Sequence, residues 1–246
     1  MLVFSCETSC DETSICLMEN NQIIEHLIFS QEIHKKFGGV VPELASRSHL
    51  DKLQKMTHSL FKKPKIDPKK IDVFCSTCGP GLIGSLLIGS TFTKSLSISY
   101  QKPFIPINHL EGHILSTSFN NKISYPHLVL LLTGGHTQIY LMNNDEEINL
   151  LGESVDDAIG EAFDKTAKLL GLNYPGGSEI EMRAKEGNEN FYTMPKPLIN
   201  ENNFNFSFSG IKTHVSLLRQ KNRLDENFIK NIAASFQKTI SDIIIT

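Results

Sequence analysis

Two histidines four residues apart, His109 and His113 in "INHLEGHIL", are the first candidates for metal chemistry. Positions i and i+4 of a helix lie on the same face, so two imidazoles at this spacing can bind one metal ion. A purely structural histidine pair is the alternative, and the pattern alone leaves both open. A catalytic site usually has three protein ligands. A carboxylate from elsewhere would complete a set suited to iron(II) or zinc.

The acid between the histidines is displaced from its place in the zinc-protease pattern H-E-x-x-H. That pattern needs a glutamate directly after the first histidine, where this chain has Leu110. Glu111 comes one residue later, about 100° further around a helix. Gly112 also weakens a helix by about 1 kcal/mol relative to alanine. The spacing therefore disfavours a protease, and Glu111 could instead orient a metal ligand.

A glycine turn in "LLTGGHTQIY" is the first candidate for anion binding. Adjacent glycines let the backbone turn tightly and bring N–H groups near an anion. Thr133 and Thr137 add hydroxyl groups, and His136 could reach a phosphate or a carbonyl. A plain β-hairpin turn is the alternative.

Three further positions offer polar groups or close backbone approach. "ETSCDET", residues 7–13, mixes carboxylates and hydroxyls after a strand, which suits a nucleotide–metal or water-positioning site, with a simple acidic turn as the alternative. Asp164 lies opposite the apolar stripe of a predicted helix, where it could contact a ribose or pair with Lys168. Gly177 in "YPGGS" could lie against a base or sugar, or belong to a turn.

The elements that must position these residues form two similar blocks. Apolar and alternating runs predict three strands within residues 2–30, then a helix over 50–62 with Leu50, Leu53 and Leu60 on its apolar stripe. From about Tyr125 the pattern is strand, glycine turn, strand and a long helix. The predicted stripe of that helix is Val155, Ile159, Ala162, Phe163, Thr166, Leu169 and Leu170, with Gly171 as its C-terminal cap. This repetition predicts an α/β architecture of two lobes, 1–124 and 125–246.

Composition limits the class of protein further. The chain has 246 residues, of which 40% are hydrophobic, and a net charge of -3, so no bulk positive field favours nucleic acid. The lysine-rich "FKKPKIDPKK" is interpreted as a solvated loop. No apolar run approaches the ~18–20 residues of a membrane span, and the N-terminus lacks a signal-peptide pattern. With five cysteines and no export signal, reduced thiols and a cytoplasmic location are expected.

Seven motifs, taken in order, resemble one family. They are "ETSCDET", "FGGVVPELASRSH", "GPGLIGSLLIG", "NHLEGH", "LLTGGHTQ", "LLGESVDDAIGEAFDKTAKLLGLNYPGG" and "FSFSGIKT". This set is similar to the bacterial TsaD/Kae/Gcp family, also called YgjD, over essentially the whole chain. The resemblance implies the two-lobed fold of actin, Hsp70 and sugar kinases, with a second lobe incomplete at its C-terminus. Ser5-Cys6 stands where the family usually has Gly-Ile, and Ser178 where bacterial relatives usually have proline.

The implied activity is that of a tRNA N6-adenosine threonylcarbamoyltransferase. Such enzymes move the threonylcarbamoyl group from threonylcarbamoyl-AMP to N6 of adenosine 37, in tRNAs reading codons that begin with A. The alternatives are a metal-dependent glycoprotein endopeptidase and a non-catalytic nucleotide-binding partner that lacks the C-terminal segment. The displaced Glu111 disfavours the first.

The resemblance also implies roles for particular residues. His109 and His113 would bind one iron(II), for which zinc could substitute. The adenylate would be lined by Leu132, Thr133, Gly134, Gly135 and His136, with Asp164 and Gly177 at its nucleoside end. Glu12 and His136 are only candidates for catalysis, because no general base can be assigned. The family's third metal ligand is an aspartate that we expect beyond Thr246, since the last helix stops without a cap.

The implied partners are tRNA, a TsaB-like paralogue and a TsaE-like ATPase, with a TsaC-like synthase as the source of the adenylate. An accessory subunit would help an acidic chain to handle tRNA. No membrane partner is expected.

Overall fold

The computed structural model describes residues 1–119 and 121–246, without the side chain of Lys35. It divides into two compact units, Met1–Lys122 and Ile123–Thr246. The boundary predicted from sequence, between residues 124 and 125, lies close to this division. Within the described residues, no helix combines the length and the apolar character needed to cross a bilayer.

The first unit is a mixed five-stranded sheet of order β3-β2-β1-β4-β5. Its strands are β1 (Leu2–Glu7), β2 (Glu12–Glu19), β3 (Gln22–Ser30), β4 (Val73–Gly79) and β5 (Phe104–Asn108). The first three form an antiparallel meander, and β4 and β5 add in parallel. Helix α1 (Pro42–Phe61) leads from β3 to β4, and α2 (Ile83–Tyr100) leads from β4 to β5, because parallel neighbours need long crossovers.

One face of this sheet packs on α1 and α2. Its side chains alternate in the strands, so Phe4 and Cys6 point to the same side as their cross-strand partners Leu17 and Ile15. The buried core of the unit consists of Phe4, Cys6, Ile15, Leu17, Leu53, Leu60, Ile71 and Phe74. The opposite face carries the odd-numbered residues of β1, which include Glu7, and this is the face on which the first candidate site lies.

Both histidines of "NHLEGH" lie in a short helix, α3 (His109–Leu115), that begins where β5 ends. The Asn108 side chain caps it, since its Oδ1 accepts hydrogen bonds from the N–H groups of Leu110 and Glu111 at 2.8 and 3.3 Å. The cap fixes the position at which α3 starts and therefore the direction in which His109 leaves the sheet.

The second unit combines a three-stranded antiparallel sheet of order β6-β7-β8 with four helices. The strands are β6 (His127–Leu132), β7 (Thr137–Met142) and β8 (Ile148–Glu153). The helices are α4 (Ile159–Leu169), α5 (Gly176–Ala184), α6 (Ser209–Lys221) and α7 (Glu226–Ile245). Its largest fully buried side chains are Phe208, Phe236, Met142, Leu170 and Ile180.

Three short 3₁₀ turns, Glu32–Phe37, Pro68–Lys70 and Ser116–Phe119, complete the described elements. The turn at Pro68–Lys70 lies inside the lysine-rich segment, where Lys62, Lys65, Lys69 and Lys70 are exposed. The segment is therefore a solvated loop, as interpreted from the sequence.

Some details of the predicted elements were wrong. Leu50 is 59% exposed, because the buried stripe of α1 runs through Ala45, His49, Leu53, Thr57 and Leu60 instead. Val155 is also exposed and precedes α4, since its N–H donates to the carbonyl of Phe206 in a strand-like contact. Strand β8 and helix α5 were not predicted. Gly171 does terminate α4, with a φ of 73°, as expected of a C-terminal cap glycine.

Candidate metal and nucleotide sites

The two histidines of α3 face each other through their Nε2 atoms, which are 3.1 Å apart. Metal–imidazole bonds are about 2.0–2.1 Å long, so two such ligands on one ion have nitrogens about 2.9–3.4 Å apart. The donor set therefore fits two ligands of a single metal. Among the described residues, no group of three or more His, Cys, Asp and Glu side chains is arranged to hold a metal, so the pair would supply two ligands at most.

A carboxylate from β1 lies on the other side of His109. The Oε2 atom of Glu7 is 3.4 Å from His109 Nδ1, and the hydroxyl oxygen of Ser9 is 3.2 Å from the same nitrogen. Burial by itself raises the pKa of Glu7, but hydrogen bonds from His109, Ser9 and Thr77 outweigh it and lower the pKa to about 2. Glu7 is therefore an ionised acceptor at neutral pH.

The turn that follows Glu7 is fixed against the start of α2. The hydroxyl of Thr8 donates to the carbonyl of Ser85 at 2.8 Å, and the N–H of Leu82 donates to the carbonyl of Ser9 at 2.8 Å. Gly81 has a φ of 155°, and a Cβ there would lie 2.6 Å from the Ser9 carbonyl oxygen. Only glycine permits this approach, so the sequence "GPG" supports the acidic turn.

A buried histidine, His49, holds the same turn from α1. Its Nε2 lies 2.9 Å from the carbonyl oxygen of Cys10, and its Nδ1 lies 2.8 Å from the hydroxyl of Thr13. A carbonyl only accepts, so Nε2 carries the proton and Nδ1 accepts from Thr13. Burial lowers the pKa of His49, which keeps the ring neutral. Reasoning from the residues overlooked His49, although it lies in the quoted motif "FGGVVPELASRSH".

The other two acids considered near this site point elsewhere. Glu12 is exposed on β2 and accepts a hydrogen bond from the Ser30 hydroxyl at 2.7 Å. Glu111 is exposed on α3. Within the described contacts, Glu7 is the carboxylate that meets the histidine pair. A cavity of about 630 Å³ opens beside the pair over the uncovered face of the sheet, with Ser5, Cys16 and Cys75 in its wall.

The glycine turn between β6 and β7 closes on itself. The N–H of Thr133 donates to the His136 carbonyl at 2.9 Å, and the Thr133 hydroxyl accepts from the N–H groups of His136 and Gly135 at 2.9 and 3.3 Å. Two of the N–H groups expected to face an anion thus have a partner inside the turn. A Cβ on Gly134 or Gly135 would meet nothing within 4 Å, so a ligand can approach the backbone here. Leu132 ends β6 directly before the turn and is 44% exposed.

The first turn of α4 packs against the glycine turn. The N–H of Ile159 donates to the buried Thr137 hydroxyl at 2.8 Å. A Cβ on Gly160 would lie 2.7 Å from the Cα of Gly134, so glycine is needed at this contact. The N-terminus of an 11-residue helix, with its positive dipole end, therefore lies beside the turn. Reasoning from the sequence did not single out Gly160.

Asp164 contacts the start of α5 at Gly176, the residue before Gly177. The Oδ1 atom of Asp164 accepts a hydrogen bond from the Gly176 N–H at 2.7 Å, a contact with α5 that the sequence did not predict. Burial raises the pKa of Asp164 more than this hydrogen bond lowers it. Gly177 lies in the first turn of α5, and a Cβ there would also meet nothing within 4 Å. The structure thus brings together the two residues expected at the nucleoside end.

The arrangement of strands and helices in the two units indicates the fold class of the protein. Antiparallel meanders followed by helices, once in each unit, are the pattern of actin-like and sugar-kinase-like α/β proteins. Component A of (R)-2-hydroxyglutaryl-CoA dehydratase from Acidaminococcus fermentans has this fold in common with the chain. It superposes with a TM-score of 0.53 at 13% identity, over 100% of this chain and 76% of that one.

Sequence comparison identifies the family. The family model for TsaD, tRNA N6-adenosine threonylcarbamoyltransferase, matches residues 22–246. The tRNA N6-adenosine threonylcarbamoyltransferase of Thermosipho africanus is 47% identical over 100% of this chain and 75% of its own length. Its counterpart in Rickettsia canadensis is 47% identical over 98% of this chain and 72% of its own length. The chain belongs to the TsaD family and spans about three quarters of the length of these relatives.

Proposed function

We propose that this chain transfers the threonylcarbamoyl group from threonylcarbamoyl-AMP to N6 of adenosine 37 in tRNAs reading codons that begin with A. Membership of the family makes it a tRNA N6-adenosine threonylcarbamoyltransferase, and tRNA is its substrate. The observation that carries the chemical proposal is the 3.1 Å separation between the Nε2 atoms of His109 and His113. Paired imidazoles at this separation suit iron(II), or zinc in its place.

The reaction is an acyl transfer to a weak nucleophile. A C–N bond forms between the carbamoyl carbon and N6, the bond from that carbon to the phosphate oxygen breaks, and N6 loses a proton. When bound, iron(II) or zinc would supply Lewis acidity to the mixed anhydride. His109 and His113 would hold the metal through Nε2, and a carboxylate would suit the third position.

The adenylate would bind in the second unit. Leu132, Thr133 and the open Cα atoms of Gly134 and Gly135 support a site for its phosphate, since the N-terminus of α4 stabilises negative charge there. Asp164 and Gly177 are the proposed contacts of the nucleoside. His136 and Glu12 remain the candidates for accepting the N6 proton. Of these, His136 belongs to the turn itself, whereas Glu12 is bonded to Ser30.

Protein partners are part of the proposal. The net charge of -3 supports the need for a further subunit that supplies positive charge to tRNA. A TsaB-like paralogue and a TsaE-like ATPase, in the cytoplasm, are the partners that the resemblance to the bacterial family implies.

The position of Glu111, the residue that would act as the general base, disfavours a metalloprotease. Glu111 is exposed and one residue later than the protease pattern requires. Metal-dependent cleavage of a glycoprotein by the pure chain would reverse this view.

The test removes one metal ligand. His109→Ala should abolish bound metal and the formation of threonylcarbamoyladenosine, measured by mass spectrometry of tRNA nucleosides in the assembled reaction with the partner proteins. His58→Ala, an exposed histidine of α1, is the matched control and should keep both. Circular dichroism checks that the variant stays folded. Full activity of a metal-free preparation would contradict the metal role.

A further inference from the structure

Glu7 is an acidic side chain in contact with His109 that has no role in the proposed metal and nucleotide sites. It ends β1, and its side chain is 33% exposed. Its two oxygens have different partners. Oε1 accepts from the N–H of Ser9 at 2.5 Å, and Oε2 faces His109 Nδ1 at 3.4 Å.

We propose that Glu7 is a positioning residue that holds the His109 imidazole as the Nδ1–H tautomer and aims its Nε2 at the metal. This inference rests on the proposed metal role of His109. A carboxylate can only accept, so the Nδ1 that faces it carries the proton. The lone pair of the ring is then on Nε2, which is the atom 3.1 Å from His113 Nε2. Histidines that bind metals commonly donate their second N–H to a carboxylate in this way.

Ser9 cannot perform this task alone. Its hydroxyl lies 3.2 Å from His109 Nδ1, but a hydroxyl both donates and accepts and therefore selects neither tautomer. Its backbone N–H, in contrast, fixes Oε1 of Glu7. The carbonyl of Ser9 accepts a hydrogen bond from the N–H of Leu82, the residue before α2, so the residue that fixes Oε1 of Glu7 is itself fixed against the fold.

Glu7→Gln separates this role from a structural one. Glutamine has nearly the same shape, but one acceptor oxygen replaces two, so it cannot accept from both Ser9 and His109. We expect the affinity for Zn²⁺, measured by competition with a chromophoric chelator, to fall about 10- to 100-fold. The absorption bands of bound Co²⁺ should shift as well, since the ring orientation changes. Glu19→Gln, on the other end of the same antiparallel meander, is the matched control and should bind like the wild type.

A second measurement needs no variant. The ¹⁵N chemical shifts of the His109 ring in the metal-free wild-type chain should report a protonated Nδ1 and an unprotonated Nε2, and Glu7→Gln should reduce that preference. A wild-type ring protonated at Nε2 would overturn the inference even if Glu7→Gln folds poorly.

The outcomes distinguish the inference from the proposal beneath it. Wild-type Zn²⁺ binding that His109→Ala abolishes and Glu7→Gln weakens supports both. Equal binding by the wild type and Glu7→Gln overturns the positioning role and leaves the metal site intact. Failure of the wild-type chain to bind Zn²⁺ or Co²⁺ overturns the metal site and the positioning role with it.

Discussion

The two units have the same arrangement of strands around their first turn, but the two turns are held in different ways. Each has an antiparallel meander, and in each the turn between the first two strands packs against the start of a helix. In the first unit the hydroxyls of Thr8 and Ser9 form hydrogen bonds with α2 and His109, and the side chain of His49 on α1 bonds the carbonyl of Cys10 in the turn. In the second unit the turn is Thr-Gly-Gly-His, bonded to itself and open above its glycines. The first turn contacts His109, the proposed metal ligand, and the second leaves space above its glycines for a ligand from outside the protein.

In both units a glycine allows close packing between the turn and the neighbouring helix, but it lies at a different position in each. In the first unit the glycine lies on the connection to the helix, where Gly81 meets the carbonyl of Ser9. In the second unit Gly160 of the helix meets Gly134 of the turn, so glycine occupies both sides. The first turn therefore depends more on side-chain hydrogen bonds with distant elements, whereas the second depends on close backbone packing against the start of α4. The two turns should fail under different substitutions.

The largest effect on stability should come from replacing His49, the buried histidine that holds the turn between β1 and β2. His49→Ala leaves the Cys10 carbonyl and the Thr13 hydroxyl without this partner and creates a cavity at a fully buried position. We expect the free energy of unfolding to fall by roughly 3 kcal/mol in urea titrations. His58→Ala, on the exposed face of the same helix, should change it by less than about 0.5 kcal/mol. Equal losses in the two variants would show that the turn does not depend on its side-chain bonds.

The next effect tests the backbone contact of the second turn. Gly160→Ala should destabilise the chain by about 1–3 kcal/mol, because its Cβ would lie 2.7 Å from a backbone atom of Gly134. Gly210→Ala is a matched control, since Gly210 is likewise the second residue of a helix, and its Cβ would make an ordinary 3.5 Å contact with Pro197. The control should be neutral or stabilising by up to about 1 kcal/mol.

Chemical denaturation of Gly160→Ala and Gly210→Ala tests whether the contact between α4 and the glycine turn requires glycine. Stabilisation by Gly160→Ala similar to that by Gly210→Ala would mean that the start of α4 can move away from the turn. Binding of an adenylate to the folded Gly160→Ala variant should also weaken, because the helix terminus would shift from the proposed phosphate site.

The elements were largely predictable from the sequence, whereas their contacts were not. Apolar or alternating runs marked β1, β2, β6 and β7, and the four-residue spacing of the histidines proved helical in α3. Strand β8 was missed because Asn149 and Gly152 interrupt its apolar pattern. Helix α5 was missed because it begins with two glycines, which favour turns in any local reading. Its start is stabilised by Asp164 from α4, a tertiary hydrogen bond that no local pattern reveals.

The same limit applies to the candidate sites. The residues of the histidine pair, and those of the glycine turn, are close together in the sequence, so their spacing was enough to predict both candidate sites. Glu7 and His109 are about a hundred residues apart, and only the order of β1, β4 and β5 in the sheet brings them together. The choice of Glu7 over Glu12 or Glu111 therefore required the fold.

The smallest effect is expected at Asp156. Its carboxylate accepts hydrogen bonds much as that of Glu7 does, but it belongs to the second unit, whereas the proposed metal ligands belong to the first. Asp156 accepts from the N–H groups of Phe208 and Ser209 and from the hydroxyls of Ser207 and Ser209, at the start of α6. Burial raises the pKa of Asp156, but these hydrogen bonds outweigh it and lower the pKa below its usual value. Glu7 has a lowered pKa for the same reason, yet its second oxygen faces a proposed metal ligand. Asp156 should therefore affect stability alone.

Asp156→Asn should cost about 1 kcal/mol of unfolding free energy at pH 7, because one neutral amide oxygen replaces two ionised acceptor oxygens, without changing Zn²⁺ affinity. Because the folded pKa lies below the unfolded value of about 3.9, the stabilisation is present above that pH and is lost as the pH falls through the folded pKa. Urea titrations from pH 7 to pH 3 should thus show the wild type and the variant converging in acid. A constant difference across that range would mean that the ionised carboxylate is not what holds α6, and a drop in Zn²⁺ affinity would remove the distinction between the two acids.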